Sequence, residues 1–271
     1  MKFKGILVKT LPFVAAIMGV KALMLLTPDI NHYFGVEDKL HLTELVEISD
    51  VGIIFTGAFF VIGLMLAATM ADFKESEKIP GEIACNLEAI EDSLILALSV
   101  HKPMEGKEPL NQERLHKSLL QLSIGILDWF KSSQKDSKML FPTLRLMNDE
   151  VYYLAKNGAD KDSVKAIQDN VNQLRKQLTR TYTISRTNFI APAYILLRSI
   201  VFSVIVLLFV CKFKTLVASF LVIGFVSFIF LYLFFLIKGL DDPFDFGSEG
   251  TEVDLLPLNR FIDRVKQGLH V

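Results

Sequence analysis

Residues Val51–Ala71 read VGIIFTGAFFVIGLMLAATMA, 21 residues without a single charge. An α-helix needs about 20 such residues to cross a hydrocarbon core about 30 Å thick. Thr56, Phe60 and Leu64 fall four residues apart, so a helix projects them as one stripe. Gly52, Gly57 and Gly63, with Ala58, Ala67 and Ala68, add small surfaces where neighbouring helices can approach closely. A bulky stripe beside small faces suits a helix lining a narrow axial passage, and an apolar constriction of that kind gates by dewetting. The spacing fits a plain packed or lipid-facing helix equally well.

Three other segments are similar. Thr215–Ile237 has no charge over 23 residues, Asn188–Cys211 carries only Arg198, and Gly5–Leu26 contains Lys9 and Lys21. The first segment starts like a secretory leader, with MKFK as its basic end. Lys21 interrupts its apolar part, however, and no small-x-small site precedes Thr27-Pro28, so a retained helix is expected. Arg198 and Lys21 are expected to serve structurally, Lys21 by snorkelling outward. Inside lipid the backbone must satisfy its own hydrogen bonds, so these spans are helices. The composition agrees. Of 271 residues 51% are hydrophobic and 22 are Phe, yet 22% are charged, so apolar residues are gathered into a few segments. A net charge of −1 provides no basic field for nucleic acid.

Four passes place both termini on one side. Lys2, Lys4 and Lys9 mark the amino end, whereas Thr27–Asp50 holds Lys39 against six acidic residues. The positive-inside rule puts the termini and the long middle segment in the cytoplasm. Lys212 and Lys214, between the last two spans, run against that trend.

The middle segment, Asp72–Arg186, has helical periodicity. Val164, Ile167, Val171, Leu174, Leu178 and Tyr182 form one stripe, and Leu115, Leu119, Leu122, Ile126 and Phe130 form another. The expectation is the core of a helical bundle, with Gly158 as a helix cap. Chemistry is sparse. There is no phosphate loop or nucleophile elbow, and the five histidines show no metal-ligand pair. Cys85 and Cys211 read as reduced thiols. No enzyme, cofactor or metal is expected.

Three stretches together resemble the bestrophin family and its bacterial bestrophin-like relatives. The tail LDDPFDFG…VDLLPLNRF from Leu240 is similar to the acidic-Pro-Phe-Gly element and Leu-Pro-Leu that follow the fourth membrane helix. ISRTNFIAPAYILLR, Ile184–Arg198, resembles the approach to the third helix, with Pro-Ala-Tyr where the family has a Pro-x-x-Tyr-like spacing. FVIGLMLAATMADFKESEKIP, Phe60–Pro80, looks like the pore helix and its cytoplasmic exit.

The resemblance implies an all-α membrane protein with four transmembrane helices and a cytoplasmic helical bundle. Residues 1–71 form a first helix pair including the candidate pore helix 51–71. Residues 72–187 form the cytoplasmic helical region, 188–238 a second pair, and 239–271 a cytoplasmic tail packing on the helical region. It further implies a homo-oligomeric ion channel, a pentamer by family habit, in a bacterial inner membrane. Its partners are the bilayer and permeating small monovalent ions. Thr56, Phe60 and Leu64 fall at the neck, Asp72 and Glu75 at the cytoplasmic mouth. Asp241, Asp242, Pro243 and Phe244 form a tail clasp, docked through Phe244 and Leu258, with the aspartates pairing basic residues.

Departures from the family matter. Asp72, Phe73 and Lys74 stand where an Arg and aromatics are usual, and the long acidic run of animal members is absent. Asp241 and Asp242 fall short of the six to eight oxygens about a calcium ion, so no calcium gating is expected. The family majority conducts anions, whereas Asp72 and its acidic neighbours point to cations. A non-conducting membrane scaffold or sensor, its cytoplasmic helices binding a partner, is the alternative.

Overall fold

The computed structural model describes residues 4–26, 46–101, 109–132, 137–186, 191–246 and 251–268. The acidic stretch at residues 27–45, Gly247 and Gly250 lie outside the described residues, as do His32, His41 and His270. The elements are α1 (Lys4–Leu26), β1 (Val46–Glu47), α2 (Ile48–Val100), α3 (Gln112–Lys131) and α4 (Ser137–Lys156). They continue with α5 (Lys161–Arg186), α6 (Ala191–Val210), β2 (Cys211–Lys212), α7 (Leu216–Asp241) and α8 (Leu256–Gly268). Four helices are long and apolar enough to cross a membrane: α1, α2, α6 and α7. The chain is an all-α membrane protein. Its contacts divide it into two units.

The first unit holds Met1–Phe73 and Asn188–Asp242, with a short return at Ser248–Thr251. Here α1 and α6 each pack along α7. Its core joins Ala58 and Ile62 of α2 to Leu197, Val201, Val204 and Leu208 of α6, and to Ile223, Phe230 and Ile237 of α7. Between membrane helices burial from water supplies little, so contact between close-fitting surfaces must do the work. Gly224 shows that fit: a Cβ there would meet the Met18 sulfur of α1 at 3.3 Å. β1 and β2 pair in parallel, Val46 with Cys211 and Glu47 with Lys212, a feature the apolar pattern does not announce.

Lys21 departs from expectation. It is 2% exposed, and its Nζ donates to the Phe209 carbonyl at 2.9 Å. The last carbonyls of α6 have no N–H donor within their own helix, so an inward ammonium caps them. Lys21 therefore does not snorkel outward.

The second unit holds Lys74–Thr187, Pro243–Gly247 and Glu252–Val271. Both apolar stripes form its core. Leu115, Leu119, Leu122, Ile126 and Phe130 of α3 are fully buried, as are Ile167, Val171, Leu174 and Leu178 of α5. α4 packs against α3 and α5, and α8 packs on α3. The α3–α4 contact is close at Gly125, where a Cβ would lie 2.6 Å from Thr143 Cγ2. Helix ends follow their residues. Asn111 Oδ1 accepts the Arg114 amide and starts α3, and Asp160 Oδ2 accepts the Ser163 amide at the start of α5. Gly158, with φ of 83°, ends α4 in the left-handed region open to glycine.

One buried charge anchors this unit. Glu150 is 6% exposed and accepts from Arg114 Nε at 3.0 and 3.1 Å and from Ser118 Oγ at 3.0 Å. The Arg114 guanidinium also lies over the Tyr153 ring, 4.1 Å from its centroid. Arg114→Ala would strand the carboxylate. We expect a loss of about 2 kcal/mol in denaturant unfolding, below the full cost of a buried pair because Arg114 is half exposed. Glu150→Gln, which keeps the Ser118 bond, should cost less.

A second prediction concerns pH. Hydrogen bonds from the Ser163 backbone and side chain hold the Asp160 carboxyl below its ordinary value. The cap's contribution is complete above the unfolded carboxylate value of about 3.9 and is lost as pH falls through the lower folded value. Protection of the Ser163 amide, its exchange rate taken relative to the intrinsic rate at each pH, should therefore fall as pH drops from about 3.9 through the lower folded value, and Asp160→Asn should abolish that pH dependence while keeping the cap.

Candidate functional site

Within the first unit α2 has two unlike faces. Val51, Ala58, Ile62 and Thr69 are buried, and the Phe59 ring lies 4.4 Å from that of Phe230 on α7. The other face is open: Thr56 is exposed, Phe60 is 67% exposed and Leu64 57%. These three expected neck residues thus share one outward stripe, flanked by exposed Ile53, Gly57, Gly63, Ala67 and Ala68. The Thr56 hydroxyl bonds back to the Gly52 carbonyl at 3.0 Å, so its methyl and not its polar group is the more available surface.

A Cβ on Gly52, Gly57 or Gly63 would meet nothing within 4 Å. They are not close-approach points for helices of the same chain. The other membrane helices expose bulkier side chains, among them Ile195, Phe202, Leu221 and Phe225, as lipid-facing surfaces do. The exposed face of α2 mixes Thr, Gly and Ala with the large apolar groups Ile53, Phe60 and Leu64. That mixture suits contact with another protein surface or a confined passage better than contact with acyl chains.

Asp72 is exposed at the end of this stretch. Glu75, in the second unit, is also exposed, and its carboxylate accepts from the Arg180 guanidinium of α5. Beside this pair, Gln177 of α5 donates to Glu82 at 3.1 Å and accepts from Asn86 at 2.8 Å. The sequence places Glu75 beside Lys74 and Lys78 and does not show Arg180 as its partner. The signal was present in part, because Gln177 and Arg180 lie three apart on the polar back of α5. Nothing in the spacing shows which helix that back would meet.

The tail residues divide between the units. Asp241, at the end of α7, accepts from the Tyr194 hydroxyl of α6 at 2.7 Å, a partner that the sequence does not announce. Asp242 caps α7, followed at once by Pro243. Thr251 returns to donate to the Gly239 carbonyl at 2.8 Å. In the second unit Pro243 and Phe244 are buried, the Pro243 carbonyl accepts the Val253 amide at 2.9 Å, and the Phe244 ring lies 5.8 Å from Phe130. Leu258 and Phe261 of α8 join the same core. Arg264 of α8 reaches Glu88 at 3.0 Å and Glu91 at 3.1 Å on α2, contacts the sequence reading did not foresee. Partial burial alone would lower the Arg264 value, but the hydrogen bonds to both carboxylates raise it above the ordinary one. Among the described residues no three His, Cys, Asp or Glu side chains converge to hold a metal ion.

This architecture has solved counterparts in crystal structures of a bacterial bestrophin homologue from Klebsiella pneumoniae. One variant matches with a TM-score of 0.74 at 15% identity, covering 97% of this chain and 100% of that one. A second gives 0.73 at 15% identity over 97% and 98%. A third structure of the homologue gives 0.64 at 14% identity over 94% and 95%. The chain has a bestrophin-like fold. No family model and no curated protein matches the sequence.

The two faces of α2 predict opposite responses to truncation. Ile62→Ala, on the packed face, should cost about 2 kcal/mol or more in unfolding of the detergent-solubilised protein. Phe60→Ala and Leu64→Ala should each stay within about 0.5 kcal/mol of the parent.

Proposed function

We propose that this chain is one subunit of a homo-oligomeric ion channel, a pentamer, in a bacterial inner membrane with both termini in the cytoplasm. In this reading α2 of each subunit stands around a common axis, and Thr56, Phe60 and Leu64 form the neck. Small monovalent ions pass, and the activity is transport without catalysis. The observation that carries the proposal is the exposed stripe of Phe60 and Leu64 on a helix whose opposite face holds fully buried Ile62. One subunit cannot enclose a passage, so a symmetric ring is needed, and the bare glycines of α2 leave room for a neighbouring copy. The bestrophin-like fold supports the same arrangement. A ring of Asp72 carboxylates at the inner end of the neck concentrates cations and repels anions.

Purified protein in a planar bilayer with a salt gradient provides the test. The parent should conduct, Phe60→Ala/Leu64→Ala should raise the current by widening and wetting the neck, and Asp72→Asn should move the reversal potential toward anions. Silence of both parent and double variant, or a detergent-corrected mass of a single subunit, would sink the channel reading.

A further inference from the structure

We infer that Arg198 holds the phosphate of an anionic phospholipid, in the leaflet at the amino-terminal end of α6. The site lies within the first unit alone and goes beyond the channel reading, which it does not need.

Arg198 is the only charged residue of the apolar span Pro192–Val210. At the rise of an α-helix it lies about 9 Å beyond Pro192 and about 18 Å short of Val210. A charge at that depth is costly unless something answers it. Lys21 meets the cost by turning inward to the Phe209 carbonyl. Arg198 does the opposite. It is exposed, on one outward stripe with Ile195, Phe202 and Val206, whose spacing keeps all four on one face of α6. Ile195 is 66% exposed and Phe202 69%, as on a surface that faces acyl chains.

Among the described residues Arg198 forms no ion pair. Residues 170–240 contain no Asp or Glu, so the chain around it offers no carboxylate. Asp241 is engaged by the hydroxyl of Tyr194, one turn nearer the start of the helix. The headgroup layer supplies the counter-charge instead. The Cα–Cβ bonds of a helix tilt toward its N-terminus, so the Arg198 stem leans toward the nearer interface and away from the farther one. A long stem can lie along apolar surface while its head reaches that layer. There the guanidinium can take a phosphate through two parallel N–H bonds. That chemistry selects phosphatidylglycerol over phosphatidylcholine, whose choline already balances its phosphate. Arg186, the last charge before the span, is basic as well and favours the same lipid.

The test titrates the purified full-length protein in detergent with phosphatidylglycerol and, separately, with phosphatidylcholine, counting bound lipids by native mass spectrometry. The parent should bind phosphatidylglycerol more tightly. Arg198→Gln should weaken that binding about fivefold and leave phosphatidylcholine unchanged, and Arg198→Lys, which keeps the charge, should retain most of the preference. Arg198 is exposed, so folding is not at stake, and an unchanged number of chains per particle checks assembly. Equal phosphatidylglycerol affinity in the parent and Arg198→Gln would overturn the inference, as would a parent that binds both lipids alike. Excess glycerol phosphate should not compete; if it displaces phosphatidylglycerol, the site takes a free phosphate and the lipid assignment falls. Fewer chains per particle in Arg198→Gln, with phosphatidylglycerol affinity unchanged, would make Arg198 a contact between copies and overturn it too.

Discussion

Inside hydrocarbon a backbone N–H or C=O has no water to turn to, and this constraint governs the membrane unit. It forces α1, α6, α7 and the front of α2 into helices whose bonds are closed within each segment. It also explains where polar groups appear. The hydroxyls of Thr10, Thr56 and Thr69 bond to carbonyls four residues earlier on their own helices. Lys21 goes to the Phe209 carbonyl near the end of α6, where the helix has run out of donors of its own. These four polar groups of the apolar spans thus find their partners among backbone carbonyls of the same unit.

With the backbone satisfied, what distinguishes one membrane helix from another is its outward face. α6 and α7 expose large apolar side chains, and α2 exposes Thr56, Phe60 and Leu64 among glycines and alanines. The second unit is built on different physics. Its amphipathic helices bury Leu, Ile and Phe away from water, its ends are capped by Asn111, Asp160 and Gly158, and the buried Glu150 carboxylate is held by Arg114 and Ser118. Phe244 and α8 are part of that core, so the chain beyond α7 contributes packing as well as termination.

Much of this was legible in the residues. The stripe from Leu115 to Phe130 and that from Ile167 to Leu178 predicted the bundle core because a 3.6-residue period leaves few other places for apolar side chains. Pro243 after two aspartates predicted the end of α7, and α7 stops at Asp241. Other features were not legible. Lys21 near a helix end reads as a snorkelling residue, since nothing local says that the end of another helix lies within reach. Asp241 reads as a partner for a base, and nothing local shows that the Tyr194 hydroxyl of α6 donates to it. Gly52, Gly57 and Gly63 read as places where neighbouring helices approach, and their spacing does not show that no described part of this chain comes within 4 Å of a Cβ there.

The sequence by itself determined the helical class, the four apolar spans, the apolar stripes of the bundle and the stop after α7. Each of these follows from the period of burial or from local backbone chemistry, which a linear order of residues contains. The tertiary structure alone decided which polar groups meet: Arg180 with Glu75, Arg264 with Glu88 and Glu91, Arg114 with Glu150, Lys21 with Phe209. Such pairs join residues 36 to 188 positions apart. Their choice depends on how helices pack side by side, and periodicity fixes the face of a helix but not its neighbour.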